Sequence, residues 1–140
     1  MDKIFAIYKP TGPTSRQILN QLQKITGERH IGHAGTLDPL ASGVLVVGIG
    51  REATRKLGEV VKKEKEYIAK IKLGETSTTD DAEGDKTQII LNLAAPERET
   101  IQKTIQQFIG NILQTPPVYS AIKIRGREAY KRIRSGEKIE

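Results

Sequence analysis

The stretch that most constrains the fold of this chain is G-V-L-V-V-G-I-G at 43–50. It is a short, nearly continuous apolar run between Gly43 and Gly50. Such a run, bounded by turn-forming residues, reads as a buried strand at the centre of a sheet. Just upstream, Asp38 stands between Leu37 and Pro39, after a glycine-rich turn that carries His33. One acid on a stiff loop beside a buried strand is a common way to display a nucleophile or a general base. Asp and Pro are also ordinary turn formers, and on the residues alone the plain turn is the weightier reading.

The neighbouring segments supply partners for that strand. Residues 3–8 alternate weakly and are β-prone, so they are expected to form a strand. K-P-T-G-P-T-S at 9–15 breaks it with a stiff turn, in which Thr14 or Ser15 can cap the next helix. That helix is expected over 15–25, with Ile18, Leu19, Leu22 and Ile25 on one face and Gly27 as its C-cap. Residues 28–42 read as one long loop. In it His30 is a surface residue, while the small neighbours of His33 leave its ring able to stack on a base or to wedge into an RNA loop. The competing reading of His33 is a solvated loop histidine. A short helix over 52–61 follows, and Arg51, Arg55 and Lys56 beside it either meet phosphates or form a solvated face.

The second half is more polar. Residues 62–66 form a charged turn, and 67–73 alternate as a half-buried strand that starts at Tyr67, a core aromatic or a stacking platform. Residues 74–85 are an acidic loop whose carboxylates lack the ligand order of a calcium-binding loop. A strand over 88–93 is followed by a helix over 97–109, with Ile101, Ile105, Phe108 and Ile109 on one face, Pro96 near its start and Gly110 at its end. Residues 114–124 are extended by their prolines and then strand-like. Arg125-Gly126 turns the chain into a short basic helix over 128–134, which either lies on phosphates or is solvated.

Composition narrows the chemistry. At 140 residues the chain has the size of one domain. Its 23 Lys and Arg against 17 Asp and Glu give a net charge of +6, which suits a polyanion such as RNA and also simply aids solubility. There is no cysteine, which removes disulfides, thiolate nucleophiles and cysteine metal sites. Two histidines three residues apart are a poor basis for zinc. The N-terminus has no apolar signal core, and no span reaches the roughly 18 apolar residues of a membrane helix. The chain is therefore expected to be cytoplasmic and not membrane-spanning.

Four separated blocks together resemble one family, the TruB-type tRNA pseudouridine synthases. They are K-P-T-G-P-T-S at 9–15; G-H-A-G-T-L-D-P-L-A-S-G at 32–43 with G-R-E-A-T at 50–54; K-E-Y-I-A-K-I-K-L-G at 65–74 with T-D-D-A-E-G at 79–84; and P-P-V-Y-S-A-I-K at 116–123. The resemblance implies an α/β (α+β) catalytic domain with a twisted, mostly antiparallel sheet and flanking helices. It implies an isomerase that needs no cofactor and no metal, and that converts uridine-55 in the TΨC loop of tRNA to pseudouridine. The partner it implies is the T-arm of tRNA.

The resemblance also assigns roles. Asp38 matches the essential aspartate, Tyr67 the active-site tyrosine that stacks on the target base, and His33 the histidine that enters the T-loop. Lys9 and Pro10 match a motif that supports the active-site loop. Asp81 matches an acid near the cleft, which binds RNA or orders its loop. Tyr119, Ser120 and Lys123 match a block that lines the RNA-binding side. Family members run beyond this length, through a strand whose arginine pairs with the catalytic aspartate, and many carry a C-terminal PUA domain. The expectation is therefore that 1–140 is the N-terminal portion of a catalytic domain without a PUA domain, as a truncated product, a fragment or a chain that needs a C-terminal segment or a second polypeptide, and that it is poorly active or inactive alone. The alternatives are a module that binds or remodels tRNA elbows without chemistry, and a nonfunctional remnant.

Overall fold

The computed structural model describes residues 2–61, 64–89, 95–117 and 122–137, the side chain of Arg134 excepted. The chain divides into two compact units, Met1–Ile68 and Ala69–Glu140. It is a mixed α/β protein, and every strand pair among the described residues is antiparallel.

In the first unit, β1 (Lys3–Lys9) leads to α1 (Ser15–Thr26), then β2 (Ile31–His33), β3 (Gly43–Ile49) and α2 (Arg51–Val61). The three strands form one sheet in the order β1-β3-β2, so the apolar run does lie at its centre. The register sets Phe5 opposite Val47, Ile7 opposite Leu45 and Ile31 opposite Ile49. Alternate residues share a face, so these side chains make one row. That row forms a core with Ile18 and Leu19 of α1, flanked by Leu22 and Leu37. The opposite face carries Gly32 and Gly48, directly paired across β2 and β3. There α2 presses Ala53, Thr54 and Leu57 against the two glycines. Helix α1 thus covers one face of the sheet, and α2 covers the other only around Gly32 and Gly48, while Ile4, Tyr8 and Val44 of that face are exposed.

The ends of α1 follow from its sequence. Thr14 is the N-cap, accepting from the Gln17 amide while the Gln17 side chain accepts from the Thr14 amide. Gly27 closes the helix in the left-handed conformation. Ile25, expected on the apolar face, is instead exposed beyond the core.

The 28–42 segment is not loop throughout, because it contains β2. Three residues are too few for a periodic signal, and their pairing with β3 is a backbone matter. The strand expected over 67–73 does not form: the residues are exposed and lack regular structure. Their alternation is real, but a strand needs a ladder partner, and none pairs with them among the described residues.

In the second unit, β4 (Glu75–Ser77) pairs with β5 (Lys86–Gln88), α3 (Arg98–Gln106) follows, and β6 (Lys123–Ile124) pairs with β7 (Arg127–Glu128) ahead of α4 (Ala129–Arg134). The 74–85 loop therefore opens with a strand, and the strand expected over 88–93 is placed earlier; residues 90–94 lie outside the described residues. Helix α3 stops at Gln106, short of Phe108 and Ile109, and all four residues expected on its apolar face, Ile101, Ile105, Phe108 and Ile109, are exposed rather than buried. Arg125 and Gly126 both take positive φ, as a two-residue type I′ hairpin turn requires. Among the described residues no helix is long and apolar enough to cross a membrane.

Candidate active site

The site is built from two loops at one end of the first sheet. Strand β1 runs into the turn at 9–15, and β3 begins just after the loop that carries Asp38. Lys9 and Gly43 pair across these strands, which brings the two loops together.

Lys9 continues the inward row of Phe5 and Ile7, so alternation buries it, and it has 0% exposure. A buried ammonium needs acceptors. Its Nζ donates to the Pro10 carbonyl at 3.0 Å and the Pro13 carbonyl at 2.9 Å. The side chain therefore braces its own turn, and in this arrangement it offers no cation to a phosphate.

That braced turn holds the Asp38 loop on both sides. The Gly12 amide donates to the Pro39 carbonyl at 2.8 Å. Gly12 has φ +110°, a conformation that a side chain would strain. Ser15, 2% exposed, donates its hydroxyl to the Leu37 carbonyl at 2.9 Å and accepts from the Leu37 amide at 3.0 Å. Behind the acid, the Ala41 amide donates to the Asp38 carbonyl at 3.0 Å and closes the turn. The backbone on either side of Asp38 is thus fixed, while its carboxylate is exposed. Among the described residues no hydrogen bond or ion pair reaches that carboxylate.

His33, the last residue of β2, is partly buried, and its Nδ1 lies 2.9 Å from the Gly35 carbonyl. A carbonyl only accepts, so this hydrogen bond places the proton on Nδ1. The ring is held by one edge, with Nε2 and the ring faces left over. Ala34 docks the same turn onto β3, its amide donating to the Val46 carbonyl at 2.8 Å. His30, by contrast, is exposed and turned toward Glu28 at 3.3 Å. The backbone amide of His30 is the main reason that the Glu28 carboxyl sits below its ordinary range. Tyr67 is 73% exposed in the irregular stretch, so its ring is available for stacking and is not core.

In the second unit, Asp81 is exposed and orders its own loop. Its Oδ1 accepts from the Thr79 hydroxyl at 2.6 Å and from the Glu83 amide at 2.8 Å. These bonds, the hydroxyl first, lower the Asp81 pKa. Lys123 is exposed on β6, opposite Glu128 in the ladder. Tyr119 and Ser120 lie outside the described residues. The cations expected on the terminal helix are partly committed: Lys131 pairs with Glu128 at 3.0 Å, and Arg132 with Glu137 at 2.6 Å. On α2, Arg55 pairs with Glu52 at 2.7 Å. The described residues hold no group of three or more His, Asp or Glu suited to a metal ion.

Sequence reasoning missed the part played by Ser15, which it treated only as an alternative cap. The signal was slight: when Thr14 caps the helix, a second hydroxyl beside it is left for another partner.

The chain is similar to known proteins in sequence and in fold. The model of the TruB family pseudouridylate synthase N-terminal domain matches residues 23–140. The tRNA pseudouridine synthase B of Clostridium acetobutylicum is 45% identical over 140 residues, covering 100% of this chain and 47% of that protein. The Cutibacterium acnes protein of the same name is 44% identical over 136 residues, covering 97% of this chain and 45% of its own length. The chain thus spans about half the length of these relatives. Among solved structures, a chain of a Cbf5-Nop10-Gar1 complex superposes with a TM-score of 0.57 at 27% identity, over 87% of this chain and 31% of that one. With the family model covering most of its residues and its fold shared with a solved complex, the chain belongs to the TruB family of pseudouridylate synthases.

Proposed function

We propose that this chain carries the catalytic aspartate of a tRNA pseudouridine synthase that isomerises uridine-55 in the T-arm of tRNA, in the cytoplasm. The observation that carries the reading is Asp38 itself, an exposed carboxylate on a loop whose backbone is tied down on both sides. Such a group is oriented yet free to meet a substrate, which is what pre-organised catalysis asks for.

The chemistry needs few parts. The C1′–N1 glycosidic bond breaks, the uracil turns, C5 bonds to C1′, and the proton on C5 leaves for N1 or solvent. Asp38 serves by adding to C1′, or by taking the C2′ proton to give a glycal that is reprotonated later. Either route uses the carboxylate as an anion. The target base must first leave its stack. The exposed ring of Tyr67 offers it a new stacking face, worth about 1–3 kcal/mol. His33, held at Nδ1, enters the T-loop and keeps the flipped arrangement open. Lys9 supports the loop from beneath. Asp81, Tyr119, Ser120 and Lys123 belong to the RNA-binding side.

The test is tritium release from tRNA labelled at C5 of uridine. It is run with the chain alone and with the C-terminal half of the Clostridium acetobutylicum relative supplied. Release that stops in Asp38→Asn, with tRNA binding retained, supports the proposal. An effect on tRNA that survives Asp38→Asn favours a module that binds or remodels the tRNA elbow without chemistry.

A further inference from the structure

The carboxylate of Asp38 meets no donor among the described residues, so its direction depends on its backbone. Two hydrogen-bonding groups precede it, the Leu37 amide and carbonyl, and both are taken by the Ser15 hydroxyl. Ser15 lies 22 positions away in the chain. It is the first residue of α1, whose next turn places Ile18 and Leu19 in the core. The capping task falls to Thr14, which leaves the Ser15 hydroxyl for the loop. A single buried atom thus couples the loop of the acid to a helix seated in the core.

We propose that Ser15 is a positioning residue for Asp38: its hydroxyl, bridging the amide and carbonyl of Leu37, sets the direction from which the carboxylate meets the ribose. The inference rests on the reading of Asp38 as the reacting carboxylate. Removing the hydroxyl leaves both Leu37 groups to find water or to move. The other tie, from Gly12 to Pro39, remains, so the loop stays attached but pivots. A misplacement of about 1 Å costs on the order of a hundredfold in rate. Binding of the RNA, spread over many contacts, changes little. Ser15 therefore belongs to the turnover number and not to affinity.

The experiment compares Ser15→Ala and Ser15→Thr with the unmodified chain, in whichever arrangement supports turnover, alone or with the supplied C-terminal half. Single-turnover tritium release, tRNA affinity and exchange of the Leu37 amide are measured together. The expected result for Ser15→Ala is a turnover roughly 10- to 100-fold lower, unchanged tRNA affinity and faster Leu37 exchange. Ser15→Thr, which keeps the hydroxyl, restores turnover and protection together. Three results overturn the inference: full turnover in Ser15→Ala, a loss confined to tRNA affinity, or lost turnover with the Leu37 amide still protected. Absence of turnover in the unmodified chain under both arrangements strikes the proposed catalytic role itself, and the inference with it.

Discussion

Replacing Gly48 by alanine places one methyl group where α2 crosses the sheet. An ideal Cβ at Gly48 lies 3.1 Å from both the backbone carbon and the oxygen of Ala53, and 3.2 Å from Leu57 Cδ1. Two of these three atoms are backbone, so a side-chain rotation cannot clear them, and α2 must lift from β3. Overpacking of this kind costs about 1–3 kcal/mol. Against it stands the reduced freedom of the unfolded chain, worth about 0.4–1 kcal/mol for Gly→Ala. The crowding wins, for a net loss of roughly 1–2 kcal/mol. Gly58 is the internal control: it sits within α2 with nothing within 4 Å of an added Cβ. There the same substitution gains about 0.8–1 kcal/mol from helix propensity. Thermal melts followed by circular dichroism read the pair. At about 4–8 °C per kcal/mol for a cooperative unit of 60–100 residues, Gly48→Ala melts well below the parent chain and Gly58→Ala above it. Equal melting temperatures for the two variants would refute the claim that α2 rests on a glycine surface.

Other substitutions and conditions probe the frame around the site. Thr14→Ala removes the half of the α1 capping box in which the hydroxyl accepts from the Gln17 amide and leaves the Thr14 amide donating to the Gln17 side chain, and a loss of about 1 kcal/mol is expected; Thr14→Ser holds the melting temperature, and equal loss in both would point away from the hydroxyl. The Thr79 hydroxyl and the Glu83 amide hold the Asp81 carboxyl below the ordinary aspartate range. Its contribution to the 77–85 loop is therefore present at and above that range and lost as pH falls through the lower folded-state value. NMR titration should show Asp81 protonating, and the Glu83 amide losing protection, below the pH at which an unperturbed aspartate does; titration at or above the ordinary range would contradict the hydrogen bonds from Thr79 and Glu83.

Much of the first unit was legible in the chain. The apolar run between glycines became the central strand, and Ile18, Leu19 and Leu22 at helical spacing became the inner face of α1. Thr14 and Gly27 closed that helix at the ends that their chemistry suggests. These are local matters: periodicity of three to four residues, β-propensity, and caps that bond within a turn. The same reading failed for 67–73, where alternation was present but the ladder partner was not, and for β2 and β4, three-residue strands that exist through pairing alone.

The candidate site divides in the same way. Sequence alone marked Asp38 as an acid on a stiff loop and could not separate a displayed carboxylate from an ordinary Asp-Pro turn. Tertiary structure shows Leu37 and Pro39 gripped from 9–15 with the carboxylate left exposed. It also made Lys9 a buried brace and gave Ser15 a second partner beyond the reach of any local rule. Local periodicity and capping act over a turn or two and can be read along the chain. A hydroxyl that bridges residues 22 positions apart finds its partner only when the sheet register has brought the two loops together.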